Sequence, residues 1–115
     1  MIDLTDDECL MMMEEREVPE SVRSRAPRVA VVLTQSWCPD WALMRGYLRK
    51  LEEPGLLVLS VEYDRRPFFR DFMRFKEEVF ANSQVPYVRY YRDGRLVATS
   101  NLVFSREAFL AEFGA

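Results

Sequence analysis

The chain has 115 residues, 49% of them hydrophobic and 13% aromatic, which suits a single domain spanning residues 1–115 with one sizeable core and argues against disorder over most of its length. Its net charge of −3, with both signs interspersed, excludes the electrostatic footprint of a general nucleic-acid or anionic-membrane binder. Two cysteines and no histidine remove the Cys-His nucleophile-base pair and the commonest metal ligand, so neither a metal nor a cofactor is expected.

The opening Met1-Ile2-Asp3-Leu4-Thr5-Asp6-Asp7-Glu8 is acidic where a secretory signal needs positive charge, and Cys9 to Met13 is too short for a signal's apolar core. No apolar run approaches the roughly 18 residues that span a bilayer. A cytoplasmic location is expected, and in a reducing compartment the two cysteines should be free. Thr5 and Glu8 match a capping box, with the helix continuing through Leu10 to Arg16. Met11-Met12-Met13 reads as core and rim packing. Val18 to Pro27, with its prolines and serines, reads as a loop.

Val29-Ala30-Val31-Val32-Leu33 is a β-branched run fit for a strand buried on both faces. From Pro39 to Glu53, Trp41, Met44, Tyr47, Leu48 and Leu51 recur at helical spacing; Pro39 suits the first turn, and Pro54-Gly55 is the expected stop. Leu56 to Tyr63 is a second buried strand, and the intervening helix implies a parallel crossover. Phe68, Phe69, Phe72, Met73, Val79 and Phe80 form the stripe of the next helix, read as core packing. Asp93-Gly94 between Tyr87–Arg92 and Arg95–Ser100 is a hairpin turn that tolerates positive φ at both positions. Ser105 caps a last helix expected to run through Phe113.

Between the first buried strand and its helix lies Ser36-Trp37-Cys38-Pro39-Asp40-Trp41. A cysteine at a helix N-terminus meets the positive end of the macrodipole and unpaired N–H groups, which favour the thiolate; the neighbouring Asp40 works in the opposite direction. With this segment at a strand-to-helix junction and Val85-Pro86 opening the hairpin, residues 28–113 resemble the thioredoxin superfamily. The local match is to thioredoxin-related proteins with a Trp-Cys-Pro-Asp-Cys site, and here Trp41 stands in place of the second cysteine. The resemblance implies an α/β fold with a central mixed four-stranded sheet flanked by helices. It also implies a nucleophile at Cys38 and a cis-proline at Pro86, with Val85 offering a backbone edge to an extended substrate.

Three departures shape the expected chemistry. Trp41 removes the internal resolving thiol, Val32 occupies the position where many relatives carry a buried acid, and Gly46 occupies that of a helix-kinking proline. Cys9 is expected to pack as a small apolar residue rather than to pair with Cys38. The first functional expectation is therefore a monothiol redox protein whose Cys38 forms mixed disulfides with protein or low-molecular-weight thiols such as glutathione. Trp37, Pro39, Asp40, Trp41, Val85 and Pro86 would surround the bound partner. The alternative is a redox-inactive peptide-binding module that uses the same groove. Iron-sulfur ligation between two chains, by analogy with monothiol glutaredoxins, would require room that a bulky Trp41 takes.

Overall fold

A computed structural model describes residues 1–114. The element order is β1 (Ile2–Asp3), α1 (Asp6–Glu15), α2 (Glu20–Arg23), β2 (Arg28–Thr34), α3 (Pro39–Leu48), β3 (Leu56–Glu62), a 3-10 turn (Tyr63–Arg65), α4 (Phe69–Val79), β4 (Tyr87–Arg92), β5 (Arg95–Ser100) and α5 (Arg106–Ala111). The sheet is mixed and has five strands in the order β1-β3-β2-β4-β5 rather than the four expected. The added strand is two residues long: Ile2 and Asp3 lie parallel to Leu59 and Ser60 at the edge. So short a piece has no alternation to read, and only its pairing makes it a strand.

The central strand β2 runs parallel to β3 and antiparallel to β4. Because successive side chains point to opposite faces, its apolar run feeds two cores. Val29, Val31 and Leu33 join Met12, Phe72 and Phe75 on one face. Ala30 and Val32 join Cys38, Trp41, Met44 and Phe109 on the other. The cysteine thus belongs to the layer that packs α3 and α5 against the sheet.

Local chemistry places most element ends where the sequence indicates. Thr5 and Glu8 close the capping box, with Thr5 N–H donating to Glu8 Oε1 at 2.9 Å and Glu8 N–H to Thr5 Oγ1 at 3.1 Å. Asp93 and Gly94 take φ of 52° and 78° at the hairpin turn. Ser105 Oγ accepts from the Ala108 N–H. Three expectations are corrected. Helix α5 ends at Ala111 rather than at Phe113, its following bonds tightening to three-residue spacing at Glu112 and Phe113. Residues 18–27 contain the short helix α2, whose Arg23 donates to the carbonyls of Val18 and Gly94 and so ties the segment to the hairpin. Helix α3 ends at Leu48 rather than at Glu53: its last bonds tighten to three-residue spacing at Lys50 and Leu51, and Glu53 is drawn into an ion pair with Arg106.

Candidate functional site

The loop from β2 into α3 is fixed by polar contacts before the cysteine is reached. Asp64, in the 3-10 turn after β3, accepts from the Ser36 N–H at 2.8 Å and from the Ser36 hydroxyl at 2.5 Å. Gln35 Oε1 accepts from the Trp37 indole at 2.6 Å, while Gln35 Nε2 donates to the Tyr63 hydroxyl at 3.2 Å. These bonds hold the Trp37 ring in the open, where it remains 65% exposed. Cys38 is the N-cap residue of α3, followed by Pro39 at the helix start and Asp40 in its first turn.

The sulfur of Cys38 lies 3.6 Å from the Val85 carbonyl oxygen, and the thiol's residue is only 4% exposed. The structure thereby brings together Cys38 and Val85 from 47 positions apart, with Trp37, Pro39 and Asp40 on the same turn. The Val85–Pro86 peptide is cis, and Pro86 is buried. Val85 itself is half-buried, and its N–H donates to no group among the described residues.

Trp41 departs from its expected place. The sequence suggests a wall of the site that would stack on a bound partner, but the residue is 1% exposed and lies within the α3-side core. Its indole donates to Glu62 Oε2 at 2.8 Å, and the same oxygen pairs with Arg45 at 3.1 Å. A helix position three residues after the N-cap turns toward the sheet, so the Trp41 ring becomes packing. The described cysteines are both free, and burial pushes the Cys9 thiol up to about 12.

Sequence reasoning missed several polar groups around this site. Lys76, 1% exposed, sends its ammonium to the carbonyls of Asn82 and Gln84 at 3.0 and 2.6 Å. Burial pulls its pKa down to about 8, with the Glu77 carboxylate acting against that shift. A signal exists in the chain: Lys76 stands four residues after Phe72 and three before Val79, inside the apolar stripe rather than off it. Glu62 gives no comparable signal, nor does Asn101, whose Nδ2 donates to the Pro86 carbonyl. Thr34, on the Val32 face of β2, is fully buried and its hydroxyl has no partner among the described residues. Among the described residues no cluster of three or more His, Cys, Asp or Glu side chains is placed to hold a metal ion. No helix of the described residues is long and apolar enough to cross a membrane.

No protein-family model matches this sequence, and no curated protein does. Solved structures do. The reduced desulfothioredoxin of Desulfovibrio vulgaris Hildenborough superposes with a TM-score of 0.63 at 18% identity, over 97% of this chain and 94% of its own. Trxlp of Edwardsiella tarda EIB202 gives 0.61 at 19% identity, over 95% and 94%. A point-mutant thioredoxin of Halobacterium salinarum NRC-1 gives 0.59 at 17%, over 79% and 74%. The fold is thioredoxin-like. Within that fold, Cys38 occupies the junction of the central strand and its following helix, and Val85 occupies the loop that faces it.

Proposed function

We propose that this protein carries out monothiol disulfide exchange at Cys38, with protein thiols or a small thiol such as glutathione as partners. The observation that carries the reading is the placement of the sulfur at the N-cap of α3, 3.6 Å from the carbonyl of a loop residue whose own N–H is unpaired among the described residues.

In the exchange, the Cys38 thiolate attacks one sulfur of a disulfide, forming a mixed disulfide and expelling the other sulfur as a thiolate. With Trp41 where a resolving thiol would stand, a second, external thiolate attacks the partner's sulfur. That step restores the Cys38 thiolate and leaves the partner joined to the external thiol. No net oxidant is consumed beyond the starting disulfide.

The test is exposure of the Cys9→Ser protein to glutathione disulfide across pH, with mass spectrometry of the product. A single glutathionyl adduct that is absent in the Cys9→Ser/Cys38→Ser variant is expected. No adduct at any pH between about 6 and 9, the range that brackets an ordinary thiol's titration, would defeat the reading.

A second reading is favoured by the 4% exposure of Cys38 beside a 65% exposed Trp37: a module that holds a peptide without exchanging thiols. Under it, Cys38→Ser retains partner binding and Trp37→Ala loses it. The redox reading requires the Cys38→Ser variant to lose covalent capture.

A further inference from the structure

The residues from Asn82 to Pro86 are held by side-chain donors at alternate carbonyls. Lys76, reaching up from the last turn of α4, bonds the carbonyls of Asn82 and Gln84. Asn101, just beyond β5, donates from Nδ2 to the Pro86 carbonyl at 3.0 Å. The Asn82 and Asn101 side-chain amides also exchange two bonds of 3.2 Å, and Asn82 Oδ1 accepts from the Gln84 N–H at 3.0 Å.

The carbonyls at 82, 84 and 86 are thus occupied from within the protein. Val85 between them turns its carbonyl toward Cys38, and its N–H has no partner among the described residues. Burying an ammonium costs free energy that an apolar side chain of similar length would avoid, so its two carbonyl bonds have to offset that cost. Packing alone gives no reason for a lysine here. Its ammonium fixes the direction of the backbone on the near side of Val85, and Asn101 fixes it on the far side.

We infer that Lys76 and Asn101 are positioning residues for peptide disulfides: they set the Val85 edge so that an extended chain pairs with it while its sulfur lies against Cys38. The inference rests on the redox reading above and adds to it the two side chains that hold the Val85 edge. A strand laid on Val85 gains main-chain hydrogen bonds, whereas a small disulfide that needs no edge gains none. The clamp therefore separates extended peptides from small disulfides without touching the sulfur. In both reactions the Cys38 thiolate bonds to one sulfur of the probe and a thionitrobenzoate anion leaves.

The experiment compares two probes in the Cys9→Ser background: 5,5′-dithiobis(2-nitrobenzoate), and a ten-residue extended peptide whose single central cysteine is disulfide-bonded to thionitrobenzoate. Lys76→Met is expected to lower the second-order rate with the peptide about ten-fold, the loss of one to two net hydrogen bonds, while the small-disulfide rate stays within about two-fold. Asn101→Ala, at a less buried position, should show the same split at smaller amplitude and keeps the test decisive if Lys76→Met fails to fold.

Equal loss with both probes, or no loss with either, overturns the positioning role while leaving the redox reading intact. A parent protein that reacts with neither probe overturns both.

Discussion

The two flanks of Cys38 are built on opposite plans. On the α3 flank Trp41 is sunk in the core and its one polar atom is bonded to Glu62, so the place where a second thiol would act is closed by packing. On the loop flank the backbone around Val85 is held by Lys76 and Asn101 from behind, and among the described residues the Val85 N–H is left without a partner. The comparison separates two properties that a Cys-x-x-Cys site combines. A second thiol is absent from one side, and on the other a backbone N–H without a partner among the described residues lies next to the sulfur's neighbour.

The strongest way to break this contrast is to open the sealed flank. Trp41→Ala is expected to destabilise the protein by about 3–5 kcal/mol in a denaturant titration, the usual cost of deleting a large buried aromatic, whereas Trp37→Ala should change stability by less than about 0.5 kcal/mol. Similar costs for the two would show that Trp41 is not core.

The loop flank is sharpened by pH. Lys76 has a folded pKa of about 8 against an ordinary 10.5, so above pH 8 the unfolded chain holds more proton than the folded one and stability rises with pH. Cys9 has the opposite sign: its thiol is raised from 9.0 to about 12, so stability falls once pH passes 9. Lys76 adds about 1 kcal/mol between pH 8 and 9 and Cys9 removes about 0.3, so a net gain of about 0.6 kcal/mol is expected, turning into a slight fall in Lys76→Met. Denaturation midpoints of the two proteins across that window check it; an equal rise in both would assign the effect to another group.

The smallest expected effect concerns the helix that carries the cysteine. Gly46 stands where a bend or close packing would call for it, yet a methyl group built there meets nothing within 4 Å. Gly46→Ala should stabilise the protein by about 0.5–1 kcal/mol in the same titration without altering Cys38 reactivity. A loss of stability would show that α3 needs the glycine, and the sealed flank would then depend on backbone as well as on Trp41.

The legible part of this protein is what lies within a few residues of itself. The Thr5 cap, the β-branched run of β2, the Asp93-Gly94 turn and the Trp37-Cys38-Pro39 junction each carry their own geometry, because φ preferences, capping bonds and side-chain periodicity act over one or two turns. They were enough to place most of the elements and to mark the cysteine. What only the tertiary structure decided joins distant parts of the chain. Ile2 becomes a strand because Leu59 accepts it; Trp41 is buried with its indole proton taken by Glu62, 21 residues away; and the Lys76 ammonium is buried on backbone carbonyls because the chain returns over it at Gln84. A buried polar side chain looks the same in sequence as an exposed one, and the difference lies in whether the fold brings it a partner.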